Sequence, residues 1–181
     1  MPIDEACTIA CENFNLEIAN FDTLRKYVNN FYSSDIGKKV LQAKKKKKEA
    51  QFTFCYDNYL IRGKLDLAYW DENEEYHIID YKTNRISPAE VPHLAEHYSV
   101  QIRLYAFGME TIMKKQCSSA ILYFLHPDIP YTVDTSQEGM KNIFSLIHDF
   151  FRSQKTQKKE EYVLRRGTHC IHCSYNSLCN P

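Results

Sequence analysis

The sequence predicts an α/β protein with a mixed central β-sheet flanked by α-helices. Two observations carry this prediction. Three apolar segments rich in β-branched and aromatic residues follow one another within residues 51–81, separated by short polar turns, which is typical of paired strands. Beyond residue 97, an apolar repeat of helical spacing, another strand-like segment and a second amphipathic helix follow in turn. Strands and helices in this order favour a sheet covered by helices.

Two helices come first in the predicted order of elements. Residues 22–31 have a helical pattern, and a second helix is predicted to begin after Ser34 and to continue into the lysines of residues 44–48. The first twenty residues contain no obvious opening element, and Pro88 and Pro92 predict a loop. The remaining predicted elements are strands over 51–56, 59–70, 76–81, 120–125 and 131–133, and helices over 97–115 and 139–153.

Length and composition limit the classes of protein. With 181 residues, 44% of them hydrophobic, the chain is expected to fold as one domain with a sizeable core. No stretch is long and apolar enough to span a membrane, and no apolar signal segment begins the chain. We therefore expect a cytoplasmic protein that has no membrane partner.

The charges are unevenly distributed although the formal net charge is zero. Between Lys38 and Lys64 there are nine Lys or Arg residues and only two acids, Glu49 and Asp57. Such a run forms either an ordinary solvated surface or a basic face that binds a polyanion. The composition of the run leaves both interpretations open.

The most informative segment extends from Gly63 to Lys82. Asp66 lies late in one predicted strand, whereas Asp80 and Lys82 lie at the end of the next. Because residues two apart on a strand point to the same face, Asp80 and Lys82 project together, and Asp66 reaches them if the strands pair. The plain alternative is a structural salt bridge at a strand end.

Two carboxylates and an ammonium at one sheet edge suit metal-assisted hydrolysis of a phosphodiester. Mg²⁺ prefers one or two carboxylates together with water and phosphate oxygens. Asp66 and Asp80 would supply the carboxylates, and the backbone carbonyl of Tyr81 would add an oxygen. Lys82 would orient the attacking water or stabilise the transition state. The candidate catalytic residues are therefore Asp66, Asp80 and Lys82, and the candidate metal ligands are Asp66, Asp80 and Tyr81.

As a set, these motifs resemble the RecB-like branch of the PD-(D/E)XK nucleases. Within that branch they are most similar to the nuclease domain at the C-terminus of AddA-type helicase-nucleases. The similarity covers residues 22–126. The residues that carry it are Gly63, Asp66, Asp80-Tyr81-Lys82-Thr83, Tyr98, Gln101 and Tyr105, with residues 31–37 and 43–52 upstream.

The resemblance implies a restriction-endonuclease-like core and DNA cleavage that depends on Mg²⁺ or Mn²⁺. It implies that Gln101 and Tyr105 border the site and contact DNA. It also implies an exonuclease that works with a helicase domain or subunit in double-strand break repair and recombination. The expected organisation is N-terminal helices over 1–50, a catalytic core over 51–135, and a C-terminal helix with a cysteine tail over 136–181.

One departure from the family pattern leaves alternatives open. Family members usually carry a histidine on a helix upstream of the core, near the metal, but no histidine precedes His77 here. The chain also has no phosphate-binding loop of a helicase motor. The alternatives are a catalytically weak or inactive DNA-binding or scaffolding module of the same fold, and an endonuclease of the same fold.

Three cysteines near the C-terminus, Cys170, Cys173 and Cys179, have the spacing C-x2-C-x5-C, which lets a short loop enclose a metal centre. The pattern resembles the cysteine triplet of the iron–sulfur RecB-like nucleases, in which a distant N-terminal cysteine completes a [4Fe-4S] cluster. Cys7 and Cys11 are the N-terminal candidates for that fourth ligand. The alternatives are a Zn²⁺ ion that also uses His169 or His172, and no metal.

Overall fold

The fold, a computed structural model, is described for residues 2–14, 19–155, 167, 170 and 173. Within the chain, residues 1–140 form one compact unit and residues 141–181 form a second. The sheet and the candidate site both belong to the first unit. Of the helices in the described ranges, none combines the length and the apolar character needed to cross a bilayer.

The described residues form five helices and five strands. The helices are α1 (Ile3–Asn13), α2 (Ala19–Ser33), α3 (Asp35–Gln42), α4 (Val91–Met113) and α5 (Gln137–Lys155). The strands are β1 (Lys45–Tyr56), β2 (Tyr59–Trp70), β3 (Tyr76–Lys82), β4 (Ser119–Phe124) and β5 (Ile129–Val133). A 3₁₀ turn at Pro88–Glu90 leads directly into α4.

The strands form one sheet in the order β1-β2-β3-β4-β5. β1, β2 and β3 make an antiparallel meander, β3 and β4 are parallel, and β4 and β5 are antiparallel. Because a parallel pair needs a crossover connection, α4 links the end of β3 to the start of β4. β3 is thus the central strand, and β1 is an edge strand.

Apolar side chains cover both faces of the sheet. One core joins α4 to the sheet, and its fully buried members are Leu65, Ile78, Leu122, Ile102 and Ala106. The other core joins α2 and α3 to the opposite face, and its members include Phe31, Val40, Leu67, Ile79 and Tyr123. Both faces are therefore desolvated near the centre of β3, which explains why a charged residue there requires a specific partner.

The predicted mixed sheet flanked by helices is confirmed. β2 has the predicted bounds, and β3 extends one residue further than expected, to Lys82. The prediction that the second helix continues into the lysines is wrong, because α3 ends at Gln42 and Lys45–Lys48 belong to β1. Backbone pairing with residues 67–70 of β2 overrides the helix propensity of lysine here.

Two further boundaries differ from the prediction. The expected loop around Pro88 and Pro92 is a 3₁₀ turn followed by α4, because proline is tolerated in the first turn of a helix, where its missing N–H has no partner to lose. Ser87 and Glu90 form a capping box that begins this turn. The N-terminal helix α1 was not predicted, although Asp4 and Glu5 give its first turn a favourable negative charge.

Candidate active site

Asp66 lies at a break in the pairing of β1 and β2. The ladder pairs Leu65 and Leu67 with residues of β1 but skips Asp66 and the opposite residue, Glu49. Glu49 has a φ of 52°, in the left-handed region that is sparsely populated by residues with a side chain. As a consequence, Leu65 and Leu67 pack into opposite cores although they are only two residues apart. The break frees the Asp66 side chain from the regular alternation of the strand.

A side-chain bond from Asp66 extends the contact between β2 and β3 beyond their backbone ladder. The ladder ends at the pair Leu67 and Ile79. One residue further on, Asp66 Oδ2 accepts a hydrogen bond from the backbone N–H of Tyr81 at 2.8 Å. This bond fixes the Asp66 carboxylate at the end of β3, beside Asp80.

Asp80 and Lys82 form a buried ion pair. Lys82 Nζ lies 2.6 Å from Asp80 Oδ2, and the side chains of Lys82 and Asp80 are 12% and 4% exposed, respectively. Tyr76 and Ile78, at the alternate positions preceding them in β3, belong to the core on the α4 side of the sheet. Period-two alternation therefore aims Asp80 and Lys82 toward α4.

The Asp80 carboxylate is poorly compensated for a buried charge. Among the described residues, no hydrogen bond reaches its Oδ2, so we treat the approach of Lys82 as an ion pair without directed hydrogen-bond geometry. Burial raises the pKa of this carboxyl above its ordinary value; Lys82 offsets part of the shift, and the neighbouring Asp66 charge adds to it. A buried oxygen in this state is stabilised by an added cation.

Lys82 is held on α4 by two further contacts. Its Nζ donates a hydrogen bond to Gln101 Oε1 at 2.9 Å, and Gln101 Nε2 donates to the Tyr105 hydroxyl at 2.7 Å. The same ammonium lies 4.0 Å from the centre of the Tyr98 ring, within cation–π range. The Tyr98 hydroxyl donates to Asn84 Oδ1 at 3.3 Å. Spacings of three and four residues place all three α4 side chains on one helix face.

Gly63 explains part of the local packing. It pairs with Phe52 across β1 and β2, and a Cβ at this position would overlap the Phe52 ring. The absent side chain lets that ring pack edge-on against Tyr105, with the ring centres 5.6 Å apart. The glycine of the Gly-x-x-Asp motif therefore supports the residue that borders the lysine.

The structure brings together every candidate residue of the sheet and of α4. The convergent set is Asp66, Asp80, Tyr81, Lys82, Gln101 and Tyr105. Glu49, a further acid close to this set in the sequence, forms an ion pair with Lys64 instead. Sequence reasoning assigned no role to Tyr98 or Asn84. Tyr98 was detectable because it precedes Gln101 by three residues on a predicted helix, whereas nothing in the sequence pointed to Asn84.

Asp66 and Asp80 have the chemistry that a hard divalent ion requires. Mg²⁺ takes oxygen ligands and often only one or two protein carboxylates. The uncompensated Oδ2 of Asp80 is the clearest acceptor for such an ion. In the described ranges, no group of three or more His, Cys, Asp or Glu side chains is arranged to hold a metal. An ion here would therefore complete its coordination with water, a backbone carbonyl or substrate.

The predicted cysteine centre falls largely outside the described residues. Cys179, His169 and His172 lie there. Cys7 is buried and Cys11 is half-buried, and both belong to α1. The iron–sulfur or zinc assignment of the cysteines stays a prediction.

Comparison with known proteins identifies the family. The model of the PD-(D/E)XK nuclease superfamily matches residues 21–180. The chain belongs to this superfamily. The matched range includes the whole candidate site, from Asp66 to Tyr105, so the family inferred from the motifs is confirmed.

Two bacterial relatives are both described as ATP-dependent helicase/nuclease subunits of the AddA type. The protein of Lysinibacillus sphaericus is 32% identical over 109 residues, which cover 54% of this chain and 9% of that protein. The protein of Listeria innocua is 34% identical over 113 residues, which cover 52% of this chain and 9% of that protein. About half of this PD-(D/E)XK chain thus resembles about a tenth of each relative.

A solved structure has the same fold. The crystal structure of SSO0001 aligns with a TM-score of 0.55 and 16% sequence identity, covering 98% of this chain and 81% of that one. At this identity the comparison shows the PD-(D/E)XK-type architecture alone. The chemistry of the present chain rests on its own residues.

Proposed function

We propose that this PD-(D/E)XK domain is a metal-dependent deoxyribonuclease. The single observation that carries the proposal is the convergence of Asp66, Asp80 and Lys82 at the end of the central strand. A buried ion pair of this kind contributes little to folding stability by itself. Its chemistry is accounted for by a reaction that needs two carboxylates and an ammonium at one point.

In this proposal Asp66 and Asp80 hold Mg²⁺ or Mn²⁺ with the backbone carbonyl of Tyr81. A divalent ion bound there supplies Lewis-acid stabilisation of the phosphate and an activated water. The chain itself contributes a partly desolvated acid pair. Since burial favours the protonated form of Asp80, binding of a cation displaces a proton from the site.

Lys82 is the candidate for orienting the reacting groups. An ammonium has three donors, and here one is directed to Gln101 while Asp80 provides the compensating charge. A further proton is available to a water or to a phosphate oxygen. The Tyr98 ring restricts where the ammonium can lie, so Lys82 meets the substrate in a fixed position.

Gln101 and Tyr105 are proposed to border the bound DNA. Gln101 is committed at both ends, because its oxygen accepts from Lys82 and its nitrogen donates to Tyr105. The Tyr105 hydroxyl accepts that bond and keeps its own proton for donation. A phosphate oxygen is a suitable acceptor, since hydroxyl side chains are common phosphate partners.

The physiological setting is proposed from the relatives. Two of them are named as helicase/nuclease proteins. We propose that this domain acts as an exonuclease on strands delivered by a helicase domain or subunit, in double-strand break repair and recombination in the cytoplasm. A same-fold endonuclease is distinguished by its cleavage of circular DNA.

The test is a cleavage assay with end-labelled linear single-stranded DNA, with Mg²⁺, with Mn²⁺ and with EDTA. We expect metal-dependent cleavage by the wild-type chain and a loss of roughly a hundredfold or more in Asp80→Ala and in Lys82→Ala. The matched control is Lys115→Ala, which removes the lysine of the exposed pair between Lys115 and Glu75. Unchanged cleavage in both site variants would remove these residues from the mechanism.

Two additional arms separate the alternatives. Covalently closed single-stranded circles remain intact if the enzyme is an exonuclease and are cut if it is an endonuclease. DNA binding without turnover under every metal condition would support the non-catalytic binding module instead.

A further inference from the structure

A strip of lysines at the sheet edge is not explained by the candidate active site. We infer that this lysine strip, Lys44–Lys48, binds the phosphate chain of single-stranded DNA. The inference deepens the proposed function and rests on it only for the identity of the polyanion, since the acidic pair and the strip are separate groups of residues.

The strip is exposed along its whole length. Lys45–Lys48 form the first half of β1, the edge strand, and Lys44 precedes them immediately. All five side chains are exposed. Five residues of a strand extend for roughly 16 Å, so the ammoniums follow one line along one backbone. That arrangement matches a single phosphate chain better than the two chains of a duplex.

The strip lacks acidic counterparts. Among the residues that the structure describes, none of the five lysines pairs with a carboxylate. The acidic turn after β2 is engaged elsewhere, because Asp71 contacts His77 and Glu75 pairs with Lys115. A solvated surface of mixed charge would intersperse both signs, whereas this strip concentrates one sign and attracts a polyanion.

Two of the lysines are held in place. Lys45 Nζ lies 4.1 Å from the centre of the Trp70 ring, and Lys46 Nζ donates to the carbonyl of Leu41 at 3.0 Å. Both residues remain exposed to solvent. Because neighbouring side chains in a strand alternate between faces, the strip presents ammoniums on both sides of the sheet edge. A flexible phosphate chain can contact both sets.

The strip ends beside the break that positions Asp66. Lys48 pairs with Leu67, the residue that follows Asp66 in β2. A strand bound along the strip is therefore directed toward the acidic pair rather than to a remote surface. We place the role of the strip in binding and delivery of the strand, not in the chemical step.

The competing explanation is protection of an edge strand, since lysines on an edge discourage pairing with other chains. The second half of β1 tests this explanation. It lies on the same edge, yet its exposed residues Gln51, Thr53 and Cys55 are uncharged. Protection would be needed equally in both halves. The lysines are instead concentrated in the half that leads up to Asp66.

The experiment measures binding of a fluorescent oligothymidylate to the full chain in EDTA, by anisotropy over a series of salt concentrations. The variant is Lys47→Gln with Lys48→Gln, because no described contact ties these two ammoniums to the fold. The matched control, Lys26→Gln with Lys114→Gln, removes the same charge from exposed positions of α2 and from the end of α4. We expect the strip variant to bind roughly tenfold more weakly at low salt, with a log–log salt slope reduced by about 1.4, since each phosphate contact adds ~0.7.

The outcomes are separable from those of the cleavage assay. Reduced binding and slope in the strip variant alone support the strip, even if the wild-type chain cleaves nothing. Equal affinity and slope in the strip variant and the control overturn it, even if cleavage is normal. Self-association of the strip variant with unchanged DNA binding favours edge protection and also overturns it. A reduced slope on duplex DNA but not on oligothymidylate overturns the assignment to a single strand.

Discussion

Two lysine–carboxylate pairs flank the same break in the sheet, and they differ mainly in burial. Lys82 and Asp80 are 12% and 4% exposed, whereas Lys64 and Glu49 are 54% and 61% exposed. The exposed pair is screened by water, and such pairs contribute about 0–1 kcal/mol. The buried pair has lost its hydration and gains less than it loses when only one partner compensates each charge. Identical functional groups are therefore a surface detail at one position and a source of reactivity at the other.

The largest expected effect comes from the acid that lies between these pairs. Asp66→Asn should reduce cleavage by roughly a hundredfold or more, because the site loses one of its two anionic metal ligands. The asparagine oxygen still accepts the Tyr81 N–H bond, so the free energy of unfolding should change little. The measurements are cleavage rate and urea denaturation in EDTA.

Asp66→Ala is the matched comparison. It should show a similar loss of cleavage and, in addition, a loss of about 1–3 kcal/mol of stability, because the Tyr81 N–H is left without its acceptor. Equal stability of the alanine and asparagine variants would contradict the structural role of this bond.

Asp80→Asn should abolish cleavage while stabilising the metal-free fold. At neutral pH the asparagine avoids the cost of burying a charge, and we expect a gain of about 1 kcal/mol, or ~2–4 °C in the melting temperature. Thermal unfolding in EDTA measures this gain. Destabilisation by the same amount would show that the ion pair with Lys82 outweighs desolvation.

The same variant predicts a pH dependence with a definite sign. The pKa of Asp80 is raised in the folded state by burial, so the folded chain holds a proton that the unfolded chain releases. Stability from this group is therefore lost as pH rises from the ordinary carboxyl pKa, about 4, through the raised value. The advantage of Asp80→Asn over the wild-type chain should grow across that interval, and a pH-independent difference would refute the assignment.

A smaller effect is expected at Tyr98, which holds Lys82 by its ring. Tyr98→Leu removes a cation–π contact of about 0.5–2 kcal/mol and should lower the cleavage rate roughly threefold to tenfold. Tyr98→Phe keeps the ring and loses only the bond to Asn84, so its rate should stay close to that of the wild-type chain. Equal losses in both variants would assign the role to the hydroxyl instead.

The smallest effect is expected at the exposed pair. Glu49→Gln and Lys64→Gln should each change the free energy of unfolding by less than about 0.5 kcal/mol, because the pair is largely hydrated. Cleavage should persist in both. A loss of cleavage in Glu49→Gln alone would place this acid in the metal site after all.

The central part of the molecule was predictable because its signals are local. Alternation and turn residues defined β2 and β3, and period two placed Asp80 and Lys82 on one face. The position of α4 and the spacing of Gln101 and Tyr105 followed from the helical repeat. These features depend on residues close together in sequence, so they can be read without tertiary contacts.

What escaped prediction depends on contacts between distant segments. Lys45–Lys48 look like helix formers, but pairing with β2 makes them a strand. The skipped pair at Glu49 and Asp66 arises from a left-handed residue that is not glycine, for which the sequence gives no warning. The bond between Lys82 and Gln101 required the crossover of α4 over the sheet.

That crossover has a consequence for biosynthesis. α4 both connects the parallel strands and carries the residues that hold the reactive lysine. A ribosome-bound chain that has released only the β1–β3 meander has the two acids but no helix to position the amine. Because non-local strand pairing forms slowly, the domain becomes capable of cutting only after β4 has emerged and docked. The topology thus delays a destructive activity until translation of the sheet is complete.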